Sequence, residues 1–584
     1  MVDEQEILAD LKRRQDETWP EGIPKTVQYL HGEAPLTEYL RWRAETIGDK
    51  TAIAYYGGEL TYAQLDQQSS ALASFLIDRG LSTGDRVALM MQNCPQYIIA
   101  FWGVIKAGGV VVPVNPMFQR TELAYELNDS GAVIAFAQRD YVPMVDEARG
   151  GTAVREIVVV DIGEYADPAT DIPVPFEPAP SSGMTGADHR WADVVRWQDD
   201  HSARFPRPDL DRLAALNYTG GTTGMPKGVE HTQRHMLYTA GASTAVRLMG
   251  SVEGGTVSAA TLSFLPVFWI AGENQGVIAP IYSGGTCVLL TRWDPAAVLK
   301  SIERYRVANM SGTVDNYLEL MARDDFDDYD LSSVTGPSTM SFVTKLSNEI
   351  RHTWSDRVGA GSVLREGAYG MTETHTNDTF VVGFQDGDLD LSAEPVFVGL
   401  PMPGTEIKIC DFETGQICPI GTEGEILVRC PSLLTAYWQN PEATEASFVD
   451  GWFRTGDRGV FYQNGCLRYI GRNKEMLKVN GMSVFPTEIE SLLYDHPAIA
   501  AAAVVGVPDP KRGERPRAYI EVAAGSPAPD PEELRQWARQ HMAPYKVPEF
   551  VIVDALPKTT TGKIQKHRLD RTPTPSESNQ ATVR

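Results

Sequence analysis

The sequence predicts an α/β protein: a large N-terminal domain of parallel and mixed sheets with helices, extended by a small β-barrel, then a small α+β C-terminal domain. Three observations lead there. Strand-like and helix-like patterns alternate from Thr51 to Asp129, the order that builds parallel sheets covered by helices. From Gly399 the character shifts to short strands between turns, and beyond Arg472 it returns to mixed α/β. At 584 residues the chain exceeds what one hydrophobic core serves.

Taken in order, residues 3–17 are highly charged, with Ile7, Leu8 and Leu11 at helical spacing, and predict a surface helix within an N-terminal extension over 1–35. Thr51 to Tyr56, the turn Gly57-Gly58 and Glu59 to Tyr62 read as a hairpin, followed by an amphipathic helix from Ala63 to Arg79. Strand, helix, strand and helix follow at Asp85–Met91, Pro95–Ala107, Val110–Val114 and Thr121–Asp129. Residues 161–207 are rich in Pro, Ser, Gly and acids and predict a surface connection. His235–Leu248 reads as helix, Thr261–Val267 as strand, Gly276–Ser283 as part of a helix, and Cys287-Val-Leu-Leu as a buried strand. Thr405–Cys410 and Gly424–Arg429 are the strands that mark the barrel. The domains are expected at 1–471, with the barrel part at about 399–471, and at 472–570, with a disordered tail over 571–584.

Composition excludes several classes. A formal net charge of −25 opposes nucleic acid or an anionic membrane surface as partner. The six cysteines form no C-x-x-C pair and none has a histidine at metal-ligand spacing, so they read as reduced, packed thiols. With an acidic N-terminus, this predicts a cytoplasmic protein. The apolar run from Tyr97 to Val114 is broken by Lys106, Gly108, Gly109 and Pro113, and fits a buried helix entering a buried strand, not a membrane span.

The stretch richest in chemistry is Leu216-Asn217-Tyr218-Thr219-Gly220-Gly221-Thr222-Thr223-Gly224-Met225-Pro226-Lys227-Gly228. Its glycines let backbone N–H groups turn toward one point, its threonines add hydroxyls, and Lys227 adds charge, a combination suited to phosphate. The commoner nucleotide loop needs Gly-Lys-Ser/Thr, but here Pro226 precedes Lys227 and Gly228 follows it. The stretch resembles the signature loop of the adenylate-forming enzymes, the superfamily of acyl-CoA synthetases, luciferases and adenylation domains.

Four further segments match that family's motifs in order, so the resemblance spans about Leu36 to Leu569. In Glu366-Gly-Ala-Tyr-Gly-Met-Thr-Glu373 it implies Tyr369 and Gly370 beside the adenine, Thr372 at the α-phosphate and Glu373 on Mg²⁺. In Asp450-Gly-Trp-Phe-Arg-Thr-Gly-Asp457 it assigns Asp457 to the ribose hydroxyls. In the segment from Gly471 to Glu490 it implies Arg472 at the ribose or phosphate, Lys474 as the hinge, and Lys478 to Gly481 as the face used in the second half-reaction. In Leu556-Pro-Lys-Thr-Thr-Thr-Gly-Lys563 it makes Lys563 the adenylation lysine, its ammonium offsetting charge as two anions approach.

The implied activity is that of an acid–thiol ligase. A carboxylic acid, of medium, long or aromatic type, is converted by ATP to acyl-AMP with loss of pyrophosphate, and the acyl group passes to CoA. Thr219, Gly220, Gly221, Thr222, Thr223, Gly224 and Lys227 would hold ATP, and a mobile C-terminal domain would exchange the Lys563 face for the Lys478 face. The implied partners are therefore small molecules, and a homodimer is an assembly open to the chain. Two segments depart from the family pattern. Leu265-Pro-Val-Phe-Trp269-Ile-Ala-Gly272 has Trp where the family's acyl and thiol pocket has His, and Trp269 reads equally as gate or as core. Gly336-Pro-Ser-Thr-Met-Ser-Phe342 is bulkier than usual at Met340 and Phe342, so the pocket residues Met340, Ser341, Gly370 and Gly481 leave chain length open. Transfer to a carrier protein, luciferase-like oxygenation and non-catalytic nucleotide binding are the alternative readings.

Overall fold

The alternation of β-branched strands with amphipathic helices produces two parallel sheets. In this computed structural model the described residues are 4–177, 186–197, 201–219, 226–248, 259–341, 344–391, 396–479, 482–509, 512–542, 544–559 and 563–572. One sheet runs, in spatial order, Arg365–Glu366, Gly336–Met340, Val307–Thr313, Ala260–Ser263, Thr286–Leu289, Thr51–Tyr55 and Gly58–Thr61. It is parallel except for its final hairpin. The other runs His189–Arg190, Glu156–Val160, Ala132–Gln138, Arg86–Met90, Val110–Pro113, Leu213–Tyr218 and Gly228–Thr232. It too is parallel until its last pair.

Side chains of both sheets and of the helices Tyr62–Asp78 and Pro95–Lys106 belong to one apolar cluster, so these helices tie the sheets together. The first helix starts where Thr61 and Gln64 cap each other reciprocally. The hairpin before it turns one residue earlier than predicted: Tyr55 pairs with Gly58, leaving Tyr56 (φ 44) and Gly57 (φ 84) as the turn. A two-residue loop of this hand needs positive φ at both positions, and Tyr56 accepts the strain.

The apolar run reads as predicted. Pro95 to Ile105 are all buried, and no described helix is long and apolar enough to cross a membrane. Lys106 ends the helix by turning its ammonium onto Asp66 (carboxylate 2.6 Å, carbonyl 3.0 Å) and the hydroxyls of Ser69 and Ser70. Burial pushes its pKa down while Asp66 opposes that shift.

The short strands predicted as a barrel form a seven-stranded antiparallel half-barrel from Thr379–Phe380 to Glu406–Cys410, with Trp452–Phe461 and Leu467–Arg472 in its middle. The N-terminal helix, Glu4–Thr18, packs on this sheet: Leu11 joins its core and Arg14 donates to the Gln463 carbonyl. Beyond it, Leu477–Val479, Met482–Val484, Ile499–Asp509, Gly513–Val522 and Glu549–Val553 form a five-stranded sheet. Helices Pro486–Leu493 and Pro531–His541 pack on it around a core of their own. The predicted helix near Gly276 begins earlier, as a π-helical segment Glu273–Ile278 running into Ala279–Ser283. Such widened turns concentrate at functional sites.

Removing the ammonium of Lys106 strands Asp66 beside the core. Lys106→Ala is expected to lower unfolding stability by about 2 kcal/mol, read from denaturant midpoints, whereas a loss below the error of the method would show that the cluster contributes nothing.

Candidate active site

The stem of the glycine loop is an antiparallel pair in which Tyr218 faces Gly228. The Thr219 N–H donates to the Lys227 carbonyl at 3.0 Å, and the Lys227 N–H donates to Thr219 Oγ1 at 3.3 Å. Helix Arg120–Ser130 clasps both arms: Tyr218 donates to Asp129, and Tyr125 donates to the Pro226 carbonyl. Thr219 and Lys227 are thereby held opposite each other. Gly220, Gly221, Thr222, Thr223 and Gly224 lie outside the described residues, as do Phe342 and Gly481.

The loop from Tyr369 to Asp378 folds back on itself. A side chain at Gly370 would place its Cβ 1.6 Å from the Thr376 carbonyl oxygen, so only glycine permits the approach. Across from it His375 (φ 58) and Thr376 (φ 121) occupy backbone regions that non-glycine residues avoid, costing about 1–3 kcal/mol each. Buried side chains hold that strain. His231 Nε2 meets the Thr372 carbonyl at 2.8 Å, and because a carbonyl only accepts, Nε2 carries the hydrogen. Burial and the neighbouring His375 keep the His231 ring neutral, well below the usual histidine range. Thr374 donates to Asp378 at 2.8 Å, and His375 meets Thr239 at 3.2 Å. Glu273 comes within 3.7 Å of His375 and accepts from Asn217 at 2.7 Å.

Sequence reasoning missed Glu273, His231, His375 and Asp378; their signal was only adjacency to recognised motifs. It missed Tyr437 too. Residues 434–438 form a strap joining the loop to the phosphate stem: Leu434 N–H donates to the Glu373 carbonyl at 2.8 Å and Trp438 N–H to that of Gly228 at 2.7 Å. The Tyr437 hydroxyl donates to Glu373 Oε1 at 2.9 Å, and Lys227 Nζ lies 3.8 Å from the Tyr437 ring centroid.

Asp457 and Arg472 face each other across neighbouring strands, 3.2 Å apart between Oδ1 and Nε. The Tyr369 hydroxyl donates to Asp457 Oδ2 at 2.8 Å, and one face of its ring approaches Tyr469. Asp457 is buried, and its Oδ1 lacks a hydrogen bond, an acceptor suited to a sugar hydroxyl. Burial raises its pKa, with Arg472 and Tyr369 opposing.

Lys563 and Ser341 line one cleft of about 210 Å³ together with Glu366, Leu391, Tyr494 and Lys566. Ser341 donates to Glu366 through its hydroxyl (2.5 Å) and its N–H (2.9 Å). The turn carrying Lys563 closes between Thr559 and Lys563, and Lys566 anchors it on Glu490 at 2.8 Å. Surrounding protein and the positive charge of Arg472 push the Lys563 pKa down. Lys474 lines a second, polar cleft of about 330 Å³ with Arg472 and Arg454. Lys478 lies on the strand Leu477–Val479 that follows. Met340 ends the strand Gly336–Met340 beside Ser341. Trp269 is half-buried at the head of the Ile270–Gly272 turn, against Phe268 and outside the core, and the carbonyl of Ile270 accepts from Thr376.

The arrangement therefore gathers three carboxylates (Glu373, Asp378 and Asp457) at the Tyr369–Asp378 loop, with Lys227 held against the Tyr437 ring and Lys563 in the neighbouring cleft beside Glu366. Glu373 presents a carboxylate whose Oε1 accepts from Tyr437, and carboxylate oxygen is the kind of donor a hard cation such as Mg²⁺ takes. Among the described residues no group of three or more His, Cys, Asp or Glu could by itself hold a metal.

Residues 40–438 match the AMP-binding enzyme family, and residues 488–563 match the AMP-binding enzyme C-terminal domain. The chain belongs to this family of adenylate-forming enzymes. A long-chain-fatty-acid–CoA ligase of Bacillus subtilis (strain 168) is 34% identical over 561 residues, covering 94% of this chain and 96% of the relative. One from Salmonella typhimurium is 31% identical over 563 residues, with the same coverage of 94% and 96%. The crystal structure of an anthranilate CoA ligase in complex with anthranoyl-AMP superposes with a TM-score of 0.75 at 27% identity, covering 91% of this chain and 96% of that one.

Asp378 gives the site a pH signature. Burial lifts its pKa from 3.8 to about 8, with Glu373 and Asp457 adding to the rise. The folded state keeps a proton that the unfolded chain releases, so this group's contribution to stability falls as pH climbs from about 4 to about 8 and is level above that. Asp378→Asn removes the dependence. Its stability relative to wild type is expected to rise between pH 5 and pH 8 by on the order of 4 kcal/mol, and a pH-independent difference in thermal or denaturant unfolding would refute the assignment.

Proposed function

We propose that the protein activates a carboxylic acid, a long-chain fatty acid first of all, with ATP and passes the acyl group to CoA. The observation that carries this reading is the cleft in which Lys563, from the far end of the chain, meets Ser341 and Glu366 beside the Tyr369–Asp378 loop and within reach of Arg472's charge. Chain length follows from the relatives named as long-chain ligases.

In the first step a carboxylate oxygen attacks the α-phosphorus, a new P–O bond forms, and the bond to pyrophosphate breaks. Two anions must approach within about 3 Å, which the Lys563 ammonium offsets. Its lowered pKa fits a cation set beside Arg472 until an anion enters. Asp457 accepts the ribose hydroxyls, Tyr369 packs against the adenine, and Thr372 donates to the α-phosphate. Thr219 to Gly224 and Lys227 grip the β,γ-phosphates. Glu373 would hold Mg²⁺, which would supply positive charge to offset that of the departing pyrophosphate. In the second step the CoA thiol, losing its proton, attacks the acyl carbon and AMP leaves. Lys563 has no part in that step, so rotation about Lys474 would withdraw it and bring the strand of Lys478 and Gly481 to the same place. Trp269, half-buried beside Phe268, is taken as a gate of the acyl and thiol pocket, with Met340, Ser341 and Gly370 assigned to the same pocket. The acceptor is taken as CoA because the ligases named above share that product.

The test is pyrophosphate release across a panel of fatty and aromatic acids, with and without CoA. Long-chain acids with CoA-dependent AMP release are expected. Preference for aromatic acids would move the substrate class toward the anthranilate ligase's, and release without any acid would overturn the reading. Lys563→Ala should slow adenylate formation at least about 100-fold while leaving thioester formation from supplied acyl-AMP within a few fold, and equal loss in both steps sinks the two-face scheme.

A further inference from the structure

Lys227 and Glu373 carry opposite charges and both contact Tyr437, on loops stitched to a common strap, yet no ion pair joins them among the described residues. An ammonium and a carboxylate free to meet pair with each other, and a pair so formed gives up both its phosphate-binding and its metal-binding group. What stands between them is Tyr437. It is buried, with 3% of its surface exposed, and its backbone is fixed by a bridge to Val229 and by an N–H bond to Thr444. Neighbouring strap residues bond to Glu230, Gly228 and Glu373. Its ring receives the Lys227 ammonium face-on at 3.8 Å, and its hydroxyl, at the opposite end, engages Glu373 Oε1 at 2.9 Å.

A phenol is suited to this work. The ring attracts a cation without supplying an anion to neutralise it. The hydroxyl orients a carboxylate through one oxygen and leaves the second for other ligands. Burial and the adjacent Glu373 push the Tyr437 pKa upward, so the hydroxyl remains a donor throughout the working pH range.

We propose that Tyr437 is a positioning residue for the adenylation step: a spacer that keeps Lys227 and Glu373 apart, one aimed at phosphate and the other at the metal. The proposal rests on the reading of those two residues given above. Three variants separate the possibilities. Tyr437→Phe keeps the ring and loses the hydroxyl, Tyr437→Leu loses both, and Glu373→Gln tests the underlying metal reading.

Three quantities are measured: the Mg²⁺ concentration for half-maximal acid-dependent pyrophosphate release, the ATP dissociation constant by calorimetry with and without Mg²⁺, and thioester formation from supplied acyl-AMP. For Tyr437→Phe the Mg²⁺ requirement should rise about tenfold, the size of one hydrogen bond to a charged group. Metal-free ATP affinity should hold, as should the rate at saturating Mg²⁺. Tyr437→Leu should additionally weaken metal-free ATP binding about tenfold as Lys227 collapses onto Glu373. Thioester formation should persist in both, reporting an intact fold. An unchanged Mg²⁺ requirement in Tyr437→Phe, with Glu373→Gln shifting it, overturns the spacer alone. An unchanged requirement in Glu373→Gln overturns the metal reading beneath it. Should Tyr437→Leu fail to fold, the isosteric Phe variant still decides the hydroxyl's role.

Discussion

The contact on which the site depends is the close approach of Gly370 to the Thr376 carbonyl, which lets the Tyr369–Asp378 loop double back over its own backbone. Several distant elements bond to that loop. The parallel sheet's edge strand Arg365–Glu366 leads into it and the half-barrel strand Thr379–Phe380 leads out. His231 comes from the phosphate stem, Glu273 from the π-helical segment, Leu434 and Tyr437 from the strap, and Asp457 from the half-barrel. The backbone strain at His375 and Thr376 persists because these partners together over-determine the loop's course.

Electrostatically, the loop is an acidic region awaiting a counter-charge. Burial raises the proton affinity of Asp378 and Asp457, the charge of Glu373 adds to both shifts, and each of the two keeps an oxygen without a hydrogen bond. Cations come from separate segments: Lys227 on the stem, Arg472 at the end of the half-barrel strand Leu467–Arg472 and Lys563 on the C-terminal turn, in the cleft beside Glu366. A triphosphate with its metal would complete this distribution, in which Arg472 pairs with Asp457 while Lys227 and Glu373 stay apart, with Tyr437 between them.

Much of this was legible in the residues. Strand and helix alternation foretold both parallel sheets, because side-chain periodicity and branched residues act locally. The capping pair Thr61 and Gln64, the Pro that opens helix Pro95–Lys106 and the acidic N-terminal helix were readable for the same reason. The motif residues Tyr369, Asp457 and Arg472 were also named in advance, and they stand together in the structure. The hairpin turn at Tyr56-Gly57 was misplaced by one residue because glycine content suggested Gly57-Gly58, while cross-strand register decided otherwise.

The sequence by itself determined the sheet-forming segments, the helix starts, the order of the five motifs and hence the family, all of which depend on residues a few positions apart. Only the tertiary structure decided which distant side chains share a pocket: Asn217 with Glu273, Tyr437 with Glu373, Ser341 and Glu366 with Lys563. Such contacts arise where separate sheets and loops pack. Their registry is the sum of many small apolar terms spread over the chain, so no short stretch of residues encodes it.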